Sequence, residues 1–380
     1  MSFDGAVALV LASSTGGVGQ HVASLARGLV AGGATVTVCG PAATDERFRF
    51  GEAGARFEAV EIPPNPRLTD ARAVGDLRRA IGQVDVVHAH GLRAGFVAAL
   101  VRPRPPLVVT WHNAVIAKGL RGTASRLAAR AVARAAQVTL GASEDLVDTA
   151  TELGARDARL SPVAAPVLPP PHRSRAAVRA EFGLGPSASR AGAGGKGREP
   201  ALILSVGRLH PQKRYDVLVD AAARWRDLDP APVVVIAGSG PAYMPLAARI
   251  SETRAPITLL GHRTDVSDLL AGADLAVVTS DWEARQLFAQ EALRAGVPLV
   301  TTAVGGVPDL VGDAARLVPP DDVDAVDAAV RELIGDPELR AEYARRGPER
   351  ADTWPDEADT VQAVQAVYAE VVAAETAHPS

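Results

Sequence analysis

The sequence predicts an α/β protein built from two doubly wound domains of similar design, and three observations carry that reading. Short apolar runs rich in Val, Leu and Ile alternate with helical patterns along nearly the whole chain. Such alternation marks parallel strands joined by crossover helices. It runs in two series, separated by a proline cluster at Pro169–Pro171. At 380 residues the chain is also too long for one core of ordinary size.

In the first series, strands are expected at Val7–Leu11, Thr35–Cys39, Phe57–Val60, Val84–His88, Leu107–Thr110 and Val138–Leu140. Helical patterns fall between them, most clearly at Val18–Ala31 and Leu92–Leu100. After the prolines comes a short helix-like piece, Ala176–Phe182. Residues 185–199 are a Gly-, Ala- and Ser-rich stretch expected to be a flexible insert. The second series predicts strands at Ala201–Val206, Val233–Ala237, Ile257–Leu260, Leu275–Thr279, Leu299–Thr302 and Ala315–Val318. In the tail, Glu357–Ala374, helical spacing puts Val361, Val364, Val367, Tyr368, Val371 and Val372 on one face. The expected domains are 1–172 and 173–354, with 355–380 a helix that crosses back to the first domain.

Bulk properties exclude several classes. Residues 1–172 hold 18 Lys and Arg against 14 Asp and Glu, and the whole chain carries −4. That asymmetry is too small for a nucleic-acid clamp, although a basic first half suits an acidic acceptor or an anionic membrane. Cys39 is the sole cysteine, so neither a disulfide framework nor a cysteine zinc site is expected. No apolar stretch reaches the length of a membrane span, and the start lacks a basic leader. A cytoplasmic location is expected. Arg126, Arg130 and Arg134 make a basic stripe at i, i+4 and i+8 whose favoured reading is a solvated helix face, with a weak peripheral contact at the inner membrane face as the alternative.

Candidate functional residues cluster at predicted strand ends, the rim where ligands bind in parallel α/β sheets. Arg208 and Lys213 follow the Ala201–Val206 strand. Two cations there suit a diphosphate, Arg as a planar fork and Lys as a point charge. Glu283 and Glu291 follow the Leu275–Thr279 strand, and carboxylates accept paired hydrogen bonds from vicinal hydroxyls. A ligand with a central diphosphate and hydroxyl-rich ends, such as a nucleotide-sugar, fits both pairs. Gly305, Gly306, Val307, Pro308 and Asp309 form a further strand-to-helix turn.

The first glycine loop, around Gly16, Gly17 and Gly19, opens a helix and is either a tight structural turn or a place of close substrate approach. A nicotinamide site is disfavoured, because Cys39 and Gly40 stand where a ribose-binding acid belongs. His88, His90 and His112 lie at neighbouring strand ends, and alternation sends His88 and His90 the same way. His112 is the preferred sugar-contacting group, with His21 and His210 weaker candidates; a metal at the histidines is the less favoured reading.

The series Gly207-Arg208-Leu209 to Lys213, Gly238-Ser239-Gly240-Pro241, Gly261 to Asp265, the Glu-x7-Glu spacing of 283 and 291, and Gly305-Gly306 resembles the retaining GT-B glycosyltransferases of the fourth sequence family. The resemblance implies two Rossmann-like domains facing a central cleft, with the donor on the second domain and the acceptor on the first. It implies catalytic roles for His112, Glu283, Arg208 and Lys213. The implied donor set is Gly17, Gly207, Arg208, Lys213, Gly238, Arg263, Arg285, Gln286, Leu287 and Glu291. The acceptor side would use Gly16, Gly19, His21, His88 and His90.

Two departures stand out: Ala284-Arg285-Gln286 replaces the family's small or turn-forming residues, and Gly91 follows His90 where relatives often carry an acid. The expected activity is transfer of a sugar from a UDP- or GDP-linked donor to a hydroxyl acceptor, lipid-linked or small. Neither metal nor cofactor is expected. Rival readings are a GT-B epimerase or phosphorylase, and a catalytically silent sugar-nucleotide-binding subunit.

Overall fold

The computed structural model describes residues 3–14, 16–63, 70–114, 119–184 and 199–377. Of the expected flexible insert, residues 185–198 therefore lie outside the described residues. The chain divides into two compact units, Met1–Pro166 with Pro355–Ser380, and Val167–Trp354.

Seven parallel strands form the sheet of the first unit: β1 (Ala6–Leu11), β2 (Thr35–Gly40), β3 (Arg56–Ala59), β4 (Val86–His90), β5 (Leu107–Trp111), β6 (Val138–Gly141) and β7 (Ala158–Leu160). Their order is β3-β2-β1-β4-β5-β6-β7. The helices are α1 (Gly17–Ala31), α2 (Ala42–Phe48), α3 (Asp70–Ile81), α4 (Leu92–Leu100), α5 (Gly119–Ala135) and α6 (Glu144–Glu152). The central strands are buried on both faces, which is why they are largely apolar, with His88, His90 and Thr110 as polar exceptions in β4 and β5.

β4 starts and ends two residues later than its apolar run suggests. Asp85 is spent on joining strands: its N–H donates to the Ala6 carbonyl at 2.8 Å, and its carboxylate accepts from the Ala6 N–H at 2.7 Å. The shift places His90 in the strand opposite Leu11. β7, three residues at the sheet edge and only half-buried, is absent from the expected elements.

The C-terminal helix, Glu357–Ala377, packs on α1 of this unit. Its apolar stripe Val361, Val364, Val367, Tyr368 and Val371 joins the core of Leu9, Leu25 and Leu29. Gly28 permits the approach, since a Cβ there would fall 2.4 Å from Val361 Cγ2. Full burial of each such side chain is worth about 1.5–3 kcal/mol.

The second unit holds β8 (Leu202–Val206), β9 (Val233–Ala237), β10 (Ile257–Gly261), β11 (Leu275–Val278), β12 (Leu299–Thr302) and β13 (Arg316–Val318), all parallel, in the order β10-β9-β8-β11-β12-β13. Its helices are α7 (Arg175–Glu181), α8 (Tyr215–Ala223), α9 (Tyr243–Thr253), α10 (Val266–Gly272), α11 (Leu287–Arg294), α12 (Val307–Val311), α13 (Val323–Gly335) and α14 (Pro337–Ala351). Alternate strand residues feed two cores. Leu202, Leu204, Val235 and Ala276 face one, and Ile203, Val234, Ile236 and Val277 the other. The unit begins at Val167, not at the expected 173, because the segment before α7 is tied to it. The backbone N–H groups of His172 and Arg173 donate to the buried Asp268 carboxylate at 2.6 and 3.1 Å.

Candidate functional site

In the second unit, β9 lies on one side of β8 and β11 on the other, so the connections diverge between β8 and β11. A crevice beyond the strand ends at such a switch point is where ligands bind. Lys213, from the loop after β8, and Glu283, from the loop after β11, meet across it. Lys213 Nζ donates to Glu283 Oε1 at 2.5 Å, and both side chains are mostly buried.

The two loops are bolted together by groups the sequence motifs did not single out. Thr279 Oγ1 donates to the carbonyls of Lys213 and Arg214 at 3.0 and 2.9 Å. Gln212 Nε2 donates to the Trp282 carbonyl at 2.7 Å, and the Asp281 N–H to the Gln212 carbonyl at 2.9 Å. Arg214 pairs with Asp216, Asp281 and Asp321. The one local signal was that Gln212 and Arg214 flank Lys213; their partners are distant in sequence.

The glycines close the rim. A Cβ on Gly238 would stand 1.8 Å from the Gly207 carbonyl oxygen, so the turns after β8 and β9 meet backbone to backbone. Gly207 itself covers Tyr215, whose hydroxyl would lie 2.8 Å from an added Cβ. Burial pushes the Tyr215 phenol up, with Glu283's charge adding to the effect. Gly305 has φ +50°, and a Cβ there would sit 2.2 Å from the Glu283 carbonyl oxygen. That carbonyl accepts from the Gly306 N–H at 2.9 Å, which locks the Glu283 loop to the turn after β12.

Arg208 is exposed at this rim. The His210 ring is held below its usual pKa by burial and then by the charges of Arg208 and Lys213, so both cations act on the same spot. Gln286 caps α11 and Leu287 begins it. Glu291, on the second turn of α11, is pushed up to about 7 by burial, against the opposing pull of Arg294.

The first unit repeats the topology, with its switch point between β1 and β4. Gly16 caps α1 without a side-chain bond, Gly17 is its first residue, and its first turn has no acidic side chain. His21 on α1, His90 at the end of β4 and His112 just after β5 converge there, all three buried. One ring nitrogen from each lies within 4.8 Å of the others. His90 Nδ1 and His112 Nε2 are 3.3 Å apart. Burial lowers the His21 pKa to about 4 and that of His88 to about 3, and holds His90 and His112 well below the usual value. The rings are therefore neutral at physiological pH. They are suited to hydroxyl groups, not to neutralising a phosphate.

Several expected site residues are placed elsewhere. His88 shares its face with His90, as alternation requires, but both of its nitrogens are used in the core. It bonds to Tyr368 Oη and Thr110 Oγ1, each at 2.6 Å, and is fully buried. Gly19 is small because Phe48 covers it; a Cβ would meet that ring at 2.1 Å. Arg263 is committed to Asp265 and Glu181 at 2.6 and 2.7 Å, and Arg173 also pairs with both acids. Those carboxylates raise the Arg263 pKa. The Arg285 side chain lies over Trp354, 5.5 Å from the ring centre. Burial and then Arg294 and Arg350 lower its pKa to about 10. Arg126, Arg130 and Arg134 are exposed on α5, and no described helix is long and apolar enough to cross a membrane.

Two family models match the chain, "Glycosyl transferase 4-like domain" over residues 16–166 and "Glycosyl transferases group 1" over 191–350. D-inositol 3-phosphate glycosyltransferase of Rhodococcus opacus is 30% identical over 80% of this chain and 72% of its own length. The Salinispora arenicola protein of the same name is 32% identical over 78% and 71%. Glycogen synthase of Mycobacterium tuberculosis is 34% identical, but over 44% of this chain and 42% of its own length, so less than half of that relative is matched. Among solved structures, Anabaena HepE with UDP and glucose shares the fold, with TM-score 0.81, 19% identity and coverage of 96% and 100%. Sucrose-phosphate synthase of Thermosynechococcus elongatus follows at 0.78, 18%, 97% and 100%.

Proposed function

Because the chain belongs to the GT-B glycosyltransferases of the family 4 type, we propose that it moves a hexosyl group from a UDP- or GDP-linked donor to a hydroxyl acceptor, with retention of configuration. The observation that carries this reading is the Lys213–Glu283 pair across the switch point, beside the exposed Arg208. Arg208 and Lys213 stabilise the departing diphosphate as its charge develops, the largest single term in many enzymes. Glu283 orients Lys213 and accepts from a sugar hydroxyl, and Glu291 holds the ribose. No enzyme nucleophile is required: the acceptor hydroxyl attacks the face that the diphosphate leaves, and its proton passes to a donor phosphate oxygen. His112, neutral and buried, is a hydrogen-bond partner for a sugar or acceptor hydroxyl. HepE, crystallised with UDP and with glucose, and the inositol-phosphate relatives support a nucleotide-sugar donor and a polyol-like acceptor.

The test is thermal stabilisation by UDP, GDP, ADP and dTDP and their sugar conjugates. A nucleotide at about 100 times its Kd adds about 2.7 kcal/mol to the stability of the unit it binds. In a unit of this size that shifts Tm by roughly 5–10 °C. One base should give the shift and Arg208→Ala should lose it; no shift with any nucleotide would remove the donor assignment. The configuration of the product, read by NMR, tests retention.

Glu291 adds a pH signature. The ionised carboxylate, not the acid, accepts two hydroxyl hydrogen bonds, and its pKa is about 7. Nucleotide affinity should therefore rise between about pH 6 and pH 8 in the native protein and follow a flatter course in Glu291→Gln. Identical pH profiles would count against a ribose contact.

A further inference from the structure

We infer that His21, His90 and His112 form a three-nitrogen site for a divalent transition-metal ion of the zinc type, and that metal bound there blocks sugar transfer. The blocking half rests on the role proposed above for His112; the binding half stands without it.

The three rings come from separate elements, α1, the end of β4 and the residue after β5, and the sheet order alone brings them together. Zinc bound tetrahedrally by imidazoles at about 2.0–2.1 Å sets its nitrogens about 3.3 Å apart. His90 Nδ1 and His112 Nε2 already stand at 3.3 Å. With the whole set inside 4.8 Å, side-chain rotations of roughly 1–2 Å close it around an ion. An all-imidazole donor set suits zinc, cobalt, nickel or copper and not magnesium or calcium.

His90 is 3% exposed, so an ion held at its Nδ1 would lie out of bulk solvent. His90 is also steadied from behind by His88, 4.2 Å away between ring centres and itself held by Tyr368 and Thr110. Such support keeps ligand rings oriented.

His21 shares a small cavity with Ser24 and Glu357, with room for about one water. Three protein ligands leave a fourth position for water or an anion. Coordination occupies the His112 lone pair, which is then lost to any hydroxyl.

The 380-residue chain, freed of metal with a chelator, should be titrated with Zn2+ by calorimetry and with Co2+ by visible absorption. The expected result is one ion per chain and the intense d–d bands of a four- or five-coordinate cobalt site. His90→Gln and His112→Asn should each weaken binding at least tenfold, while His262→Ala, an exposed histidine of the other unit, leaves it unchanged. Circular dichroism and melting check that the variants fold, and His21→Gln replaces either one that does not. Binding that survives these substitutions, or that depends on His262, overturns the site. Zinc should also suppress transfer, with recovery on chelation. Zinc bound at His90 and His112 with unaltered transfer overturns the blocking half and the role of His112. Normal transfer with no zinc bound overturns the site and leaves the transferase reading intact.

Discussion

Lys213→Ala is expected to lower kcat by about 10²- to 10³-fold, the usual cost of removing a group aimed at charge that develops in the transition state. The substitution does two things. It removes a cation from the diphosphate position, and it leaves Glu283, whose side chain is only 12% exposed, without its partner. The second effect costs stability, since an unpaired buried carboxylate is unfavourable. The two separate in a cycle with Glu283→Gln. The double variant should recover stability relative to Lys213→Ala while remaining as slow. Arg208→Ala, at an exposed position, should lose turnover with little change in melting temperature. Steady-state transfer with saturating donor, alongside thermal melts, measures both. A Lys213→Ala enzyme with a nearly native kcat would show that the pair is scaffolding only.

Gly305→Ala should be strongly damaging near the site. At φ +50° an alanine is strained, and its Cβ would press to 2.2 Å from the Glu283 carbonyl oxygen and 2.8 Å from Trp282 Nε1. Left-handed strain costs about 1–2 kcal/mol and overpacking a further 1–3 kcal/mol. Relief requires the turn after β12 to part from the Glu283 loop, breaking the Gly306 N–H bond to the Glu283 carbonyl. The expected outcome is a melting temperature lowered by roughly 5–15 °C and weakened nucleotide binding. Loss of stability with full nucleotide affinity would show that the Glu283 loop holds its position unaided.

The strands were legible because central strands of a parallel sheet are covered on both faces and must be largely apolar. The rim groups Arg208, Lys213 and Glu283 were legible for a related reason. Strand-to-helix turns fall on one edge, so a polar residue just after an apolar run is placed there by topology alone. β7 was not legible: Ala158–Leu160 is short, lies at the edge and is half-buried, so little in its composition marks a strand. Nor was the true span of β4, because whether Asp85 caps or continues the pattern depends on Ala6, far along the chain.

By itself the sequence determined the parallel α/β class, the two series of elements, and which polar groups stand at the strand ends. These follow from local periodicity and from chemistry carried within a few residues. Only the tertiary structure decided which of those groups are free to act. Arg263 is consumed by Glu181, 82 residues away, His88 by Tyr368, 280 residues away, and Arg285 turns to Trp354. The same long-range closure drew His21, His90 and His112 within 4.8 Å. A charge or ring seeks its best partner in space, and chain spacing carries no record of who that partner is.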